Sequence, residues 1–277
     1  MIIGINGYAG SGKDTIGKLI QIITCPKIPE GYTVLELITF YHSQHEWWLE
    51  EQSGWEIKKW AGKLKTIASL LTGIPVNKFE DQEFKKTFLG PEWDYWSIKL
   101  KEGKTKITEQ ARVITEEQAD ANLLFNPVIH GSYKKTWEKE KCRITVRQFL
   151  QELGTDACRN GLHPNTWVNA LMADYVALPQ VGPGITEDND YQYPNWIITD
   201  TRFPNEAQAI KDAGGIVIRV DRPGVSAINA HPSETGLDNW DFDHKIMNGS
   251  DIVSLMFTIH SILKKNNLIN ADFKAEN

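Results

Sequence analysis

The sequence predicts an α/β fold of three layers, a mainly parallel sheet flanked by helices, and three stretches carry that prediction. Met1-Ile2-Ile3-Gly4-Ile5-Asn6 is an apolar run of strand length, and past a glycine-dense turn Ile16, Leu19, Ile20 and Ile23 recur at helical spacing. Trp196-Ile197-Ile198 leads to Asp200, the pattern of a buried parallel strand, with Pro204 suited to the first turn of the helix after it. Gly214-Gly215 ends that helix, and Ile216-Val217-Ile218-Arg219-Val220 reads as another buried strand. Strands alternating with helices build this class of sheet.

The turn after the first strand is Gly7-Tyr8-Ala9-Gly10-Ser11-Gly12-Lys13-Asp14-Thr15. Its glycines let the loop wrap with backbone N–H groups facing inward, and the helix N-terminus adds partial positive charge at the same point. An anion belongs there. The spacing matches the phosphate-binding pattern G-x-x-x-x-G-K, with Lys13 as the cation for the β- and γ-phosphates of a nucleoside triphosphate. Asp14 stands where Ser or Thr usually follows the lysine, and Thr15 comes one residue later.

Further along, Thr33–Ile38 reads as a strand or extended segment, and His42 to Gln52 as a helix. His42 and His45 lie one turn apart there, a spacing that also suits a metal fragment but lacks a third ligand. Ala61-Gly62-Lys63-Leu64-Lys65 opens a helix carrying Leu64, Ile67, Ala68 and Leu71, and Gly73 and Pro75 stop it. A lysine in the first turns opposes the helix dipole unless an anion is near, which makes Lys65 a candidate beside its plainer reading as a solvated side chain.

From Pro91 to Cys142 the pattern loosens, and residues 91–142 read as an insertion on the core with a hairpin about Glu102-Gly103. Thr145 and Gln148 have capping-box spacing, and the helix they open carries Val146, Phe149, Leu150 and Leu153 on one face with Arg147 off it. Gly154-Thr155-Asp156 is expected to close or interrupt that helix, and another runs from His163-Pro164 to about Leu178. Residues 179–194 read as a mobile loop, a candidate lid. Arg202 hangs beside the strand-end Asp200, in an open α/β sheet the edge at which ligands collect. His231-Pro232-Ser233-Glu234 reads as a loop with Ser233 capping a short helix. Lys245–Gly249 gives a short last strand, and Asp251 caps a helix bearing Ile252, Leu255, Met256, Ile259, Ile262 and Leu263.

Composition sets the outer limits. The 277 residues carry a formal net charge of −6 without a long basic run, which argues against nucleic acid as a partner. Three widely spaced cysteines suggest neither a disulfide framework nor a zinc site, and a reducing cytoplasm fits. No apolar run approaches about 18 residues, and Met1 leads straight into a strand, so neither a membrane span nor a signal peptide is expected.

In their order and spacing these pieces resemble the phage-type deoxynucleoside monophosphate kinases, relatives of the P-loop NMP kinases. The residues that carry the resemblance are Gly7 to Thr15, Ala61-x-x-Leu64-Lys65, Arg147 with Leu153-Gly154-Thr155-Asp156, and Trp167-Val168-Asn169. Asp200-x-Arg202-Phe203-Pro204-Asn205-Glu206 and His231-x-Ser233-Glu234 complete the set. The resemblance implies one P-loop kinase domain over 1–277, with a helical substrate-binding part and a lid or insertion. It also implies transfer of the γ-phosphoryl group of ATP to a deoxynucleoside 5′-monophosphate (dNMP), with Mg²⁺ as cofactor.

Gly10, Ser11, Gly12, Lys13, Asp14 and Thr15 would bind ATP, with Thr15 and Asp14 at the metal, directly or through water. Lys65, Arg147, Gly154, Thr155, Trp167, Asp200, Arg202 and Glu206 would contact the dNMP. Lys13, Arg147 and Arg202 would be catalytic, and Trp167 would stack on the base. A homodimer in the host cytoplasm, with no nucleic-acid or membrane partner, completes the expectation. Two rivals share the loop: another small-molecule P-loop kinase, such as one acting on dephospho-coenzyme A, and a non-catalytic nucleotide-binding regulator.

Overall fold

A computed structural model describes residues 1–26, 46–102, 106–113, 115–125, 135–179, 191–226 and 235–269. The expected Thr33–Ile38 strand, the His42/His45 pair, the Ser233 cap and most of the 179–194 loop lie outside these residues. The described contacts group into two units, one of residues 1–63 and 163–277 and the other of residues 64–162.

The first unit opens with β1 (Ile2–Asn6) and α1 (Lys13–Thr24), then α2 (Glu46–Ser53), β2 (Trp55–Lys58) and the start of α3 (Trp60–Thr72). The strand β2 is not legible in the hydrophobic pattern: four residues, only Trp55 of them buried, make a sheet edge rather than a core strand. The second unit holds β3 (Tyr95–Glu102), β4 (Lys106–Val113), α4 (Glu116–Phe125), β5 (Lys135–Cys142) and α5 (Val146–Gln151). The chain returns to the first unit with α6 (Thr166–Met172), the two-residue strands β6 (Leu178–Pro179) and β7 (Tyr191–Gln192), and β8 (Asn195–Ile198). There follow α7 (Pro204–Asp212), β9 (Ile216–Asp221), β10 (His244–Met247) and α8 (Ile252–Lys265).

The central sheet runs β10-β9-β1-β8-β2, all neighbours parallel, so the α/β layering expected from the sequence is present. Alternation along each strand divides its apolar residues between two cores. Ile3, Ile5, Ile197, Ile216, Ile218 and Val220 pack with Leu19 and Ile20 of α1 and Met256 and Ile259 of α8. On the other face Ile2, Trp196, Ile198 and Val217 pack with Val168 and Leu171 of α6 and Ala207 and Ile210 of α7. Ile3, Ile5, Ile16 and Ile197 are fully buried, and each such side chain contributes about 1.5–3 kcal/mol relative to exposure.

The helix α6 ends near Met172, short of the expected Leu178. Asp174 turns to pair with Lys63 at 2.7 Å, and Tyr175 leaves the helical stripe to stack on Tyr193 and meet Trp196 edge-on.

In the second unit β3 pairs antiparallel with both β4 and β5, and the β3–β4 pair is the hairpin expected about Glu102-Gly103, its tip lying outside the described residues. A separate core joins Ala68, Phe79, Leu89, Ile144, Val146 and Phe149. The capping box of Thr145 and Gln148 opens α5 as read from sequence. Of the two outcomes expected of Gly154-Thr155-Asp156, the α-helix is interrupted rather than closed. The chain widens there into a π-helix over Glu152–Asn160, and a Cβ on Gly154 would stand 3.0 Å from Leu64 Cδ2. The glycine marks a close helix contact rather than a helix end. Among the described residues no helix is long and apolar enough to cross a membrane, and Cys25, Cys142 and Cys158 form no disulfide.

Candidate active site

The loop between β1 and α1 leaves the carboxyl edge of the sheet from its central strand. Gly10 and Gly12 hold φ of 83° and 97°, left-handed values that a side chain disfavours, and they turn the loop back upon itself. The Ser11 N–H closes the turn on the Tyr8 carbonyl at 3.1 Å. The Ser11 hydroxyl is buried without a hydrogen-bond partner among the described residues. Lys13, the first residue of α1, curls back so that Nζ donates to the carbonyls of Gly7 at 2.6 Å and Tyr8 at 2.8 Å.

Each of the other four strands ends by delivering a polar side chain to this loop or its helix. After β2, Lys59 Nζ stands 3.4 Å from Asp14 Oδ1. After β8, the buried Thr199 hydroxyl donates to the same oxygen at 2.8 Å. After β9, the Arg222 guanidinium donates to the Gly10 carbonyl at 3.2 Å. After β10, the Asn248 amide donates to the Ser11 carbonyl at 2.8 Å. Below them Arg219, itself buried, donates to Asn6 Oδ1 at 2.7 Å and Asp221 Oδ1 at 2.8 Å and lies over the Tyr8 ring at 4.5 Å.

Sequence reasoning missed Lys59, Thr199, Arg222 and Asn248. For Thr199 and Arg222 a signal was available: they lie just beyond the carboxyl ends of β8 and β9, which the apolar runs show, and ligands of open α/β sheets gather there.

Asp14 is the charged group of this corner. Partial burial pushes its pKa up, but Lys59, the Thr199 hydroxyl and Lys13 together outweigh that and hold it below the ordinary carboxylate value. Its side chain is 63 % exposed, so an ionised hard oxygen ligand faces water beside the loop.

The eight residues expected around the acceptor divide evenly between the units. In the second unit, Lys65 is buried and its Nζ meets Glu80 Oε1 at 2.5 Å. Arg147 is exposed and donates to Gln82 Oε1 at 3.0 Å. Gly154 and Thr155 lie in the π-helix.

In the first unit, Asp200 Oδ1 and Oδ2 accept from the Trp60 and Ala61 N–H groups at 2.8 and 3.0 Å, capping the N-terminus of α3. Glu206 is buried and its Oε2 accepts from the Arg202 and Phe203 N–H groups at 2.8 and 3.1 Å, which fixes the backbone that carries the Arg202 side chain. Trp167 is only 3 % exposed, so its ring faces protein rather than an open stacking surface.

The described residues hold no cluster of three or more His, Cys, Asp or Glu side chains, the kind of set that binds a metal by protein ligands alone. A hydroxyl and one carboxylate beside a phosphate cradle suit Mg²⁺ instead, an ion that keeps several waters and takes its other ligands from phosphate.

Comparison with known proteins points the same way as the geometry. A family model described as deoxynucleotide monophosphate kinase matches residues 95–259, a range that contains Arg147, Asp200, Arg202, Glu206 and Asn248. A putative deoxynucleotide monophosphate kinase of Acanthamoeba polyphaga mimivirus is 34% identical over 124 residues, 42% of this chain and 60% of that protein. The deoxynucleotide monophosphate kinase of Enterobacteria phage T4 is 33% identical over 120 residues, 43% of this chain and 46% of the other. With these two the match spans less than two thirds of the relative's length. The deoxynucleoside-5′-monophosphate kinase of Escherichia phage T5 is 25% identical over 272 residues, 91% of this chain and 90% of its own. With a family match over more than half its length, the chain belongs to the deoxynucleotide monophosphate kinase family.

Proposed function

We propose that this protein transfers the γ-phosphoryl group of ATP to a deoxynucleoside 5′-monophosphate, giving the diphosphate and ADP. The observation that carries this reading is the cradle after β1, with its two left-handed glycines and Lys13 at the head of α1. The carbonyls that now accept from Lys13 Nζ are weak partners for an ammonium group. Triphosphate oxygens would draw it away from them at little cost.

An acceptor phosphate oxygen forms the new bond to the γ-phosphorus as the bond to the β–γ bridging oxygen breaks, and ADP leaves with the electron pair. Charge spreads over the transferred group in a loose transition state, so the protein's work is placement and charge stabilisation. Lys13 and the loop N–H groups hold the donor's phosphates. Arg147, Arg202 and Lys65 hold the acceptor phosphate and screen its charge from the donor. Thr15 and Asp14 would hold Mg²⁺, directly or through water, and the ion would supply positive charge to the triphosphate. The Lys59 and Thr199 contacts keep Asp14 ionised for that task. Asp200 acts indirectly by anchoring the head of the helix that carries Lys65. Base stacking on Trp167 requires its covering side chains to give way.

The deciding experiment is an ADP-release assay with ATP and Mg²⁺ against dAMP, dCMP, dGMP and dTMP and their ribose counterparts. Turnover on one or more deoxynucleotides, weaker on ribonucleotides, is expected. ATP binding without turnover on any of them would favour a different acceptor or the regulator.

A further inference from the structure

We infer that Asn248 is a positioning residue for the donor phosphates, acting through the peptide between Ser11 and Gly12; this rests on the reading of the loop as an ATP site. Nothing in the sequence pattern singles Asn248 out, and it does not point into the cradle. Its importance follows from which atom it holds.

Asn248 follows the last residue of β10, and its own N–H donates to the Asp221 carbonyl at 2.7 Å, so its backbone is tied to the end of the neighbouring strand β9. From there its side-chain amide reaches the Ser11 carbonyl at 2.8 Å. A trans peptide sets its C=O and N–H in opposite directions. With the Ser11 oxygen held by Asn248, the Gly12 N–H of the same peptide points away from Asn248, the direction in which we place the donor phosphates. Rotation of this peptide would replace an inward N–H by an inward carbonyl oxygen, a donor to phosphate by a repelling dipole. Gly12, with φ at 97° and no side chain, is the residue beside which such a rotation is easiest.

A second observation shows how closely Asn248 is seated. A Cβ built on Gly12 would stand 2.3 Å from Asn248 Nδ2, so the amide fills the space a side chain at Gly12 would need. The φ of 97° favours glycine at this position, and a side chain there would push the Asn248 amide aside. Arg222 makes the matching contact one peptide earlier, on the Gly10 carbonyl at 3.2 Å, but from an exposed site. The Asn248 contact is the shorter and more buried of the two.

The chemistry is specific to an amide donor. In Asn248→Asp the shape is kept, but a carboxylate oxygen would face the Ser11 carbonyl oxygen, expelling that carbonyl and placing a negative charge near the cradle. In Asn248→Ala the donor is lost and the peptide is left to rotate.

The test compares wild type, Asn248→Ala and Asn248→Asp by titration with ATP·Mg²⁺ and, separately, with the dNMP the wild type turns over best, together with KM for each substrate and the melting temperature. Loss of one neutral anchoring bond predicts about a 3- to 10-fold rise in Kd and KM for ATP in Asn248→Ala. The introduced charge predicts on the order of a 100-fold rise in Asn248→Asp, with dNMP binding unchanged in both. Wild-type ATP affinity in a folded Asn248→Asp protein would overturn the inference while leaving the ATP site intact. So would ATP and dNMP binding weakening in parallel with a fall in melting temperature, the pattern of a merely structural residue. If Asn248→Asp does not fold, Asn248→Ala alone decides by the same split between the two substrates. A wild type that binds no ATP would overturn the function reading itself, and the inference with it.

Discussion

At the donor corner, residues 7–15 come from one continuous stretch, and each of the four other strands of the sheet adds one polar side chain to it. The residues proposed for the acceptor are scattered from Lys65 to Glu206 over two units, and four of the eight are engaged with other protein groups: Lys65 with Glu80, Arg147 with Gln82, Asp200 with the head of α3, Glu206 with the Arg202 loop. The contrast is between a corner made by sheet geometry and a proposed set of residues held by exchangeable contacts. Placing an anion in the first requires Lys13 to leave two carbonyls. Placing one in the second requires Lys65 and Arg147 to trade a carboxylate and an amide for a phosphate. A dianionic phosphate offers both a stronger charge-assisted bond.

If that contrast is right, Lys13→Ala should have the largest effect, because Lys13 heads α1 while the nearby cations Lys59 and Arg222 are held by Asp14 and the Gly10 carbonyl. A loss of kcat on the order of 100- to 1,000-fold is expected with the fold intact, read by the ADP-release assay alongside circular dichroism. An unchanged kcat would remove the donor assignment. Next, Arg202→Ala should lower kcat/KM for the dNMP by roughly 10- to 150-fold, the worth of one charge-assisted bond, while KM for ATP holds. Equal losses for both substrates would merge the two sites that the comparison separates.

The donor corner was legible in the sequence because its information is local. Glycine spacing, the lysine and the flanking hydrophobic periods all fall within the first 23 residues, and both buried partners of β1, the strands β8 and β9, announce themselves as apolar runs. The edge strand β2 did not, since a strand with one open side needs no continuous apolar run. Asn248 and Lys59 were invisible for a related reason: a residue at a strand end acquires meaning only once strand order is known, and parallel order is a long-range property. Trp167, which the resemblance places against the base, is buried in the described fold, and burial of this kind depends on packing that the sequence pattern does not show. Gly154-Thr155-Asp156 reads as a stretch that closes or interrupts its helix, and the α-helix is interrupted there; what the pattern does not show is the steric contact of Gly154 with Leu64.

Two smaller effects sharpen the comparison by separating anchors from contacts. Asp200→Ala removes the acceptor of two α3 N–H groups, and a cap of this kind contributes about 0.5–2 kcal/mol to stability. Thermal denaturation should show that loss, and KM for the dNMP should rise only modestly, because Lys65 is displaced rather than removed. A large KM effect without any stability loss would instead make Asp200 a direct substrate contact.

The smallest effect concerns Asp14, whose carboxyl pKa is held low in the folded chain by Lys59, Thr199 and Lys13 against the opposing effect of burial. The sign follows from linkage. A carboxylate with a depressed native pKa binds fewer protons folded than unfolded, so its stabilisation is fully present above its unfolded value near pH 4 and is lost as pH falls through the lower native one. Its side chain is largely exposed, and solvent screening limits the pairing to about 0.2–1 kcal/mol. Asn at this position keeps a similar shape without the charge. At pH 7 Asp14→Asn should therefore melt slightly below wild type, and the gap should close as pH falls below about 4. A gap that persists unchanged in acid would mean that the Thr199 hydrogen bond, and not the charge, is what Asp14 contributes to the folded corner.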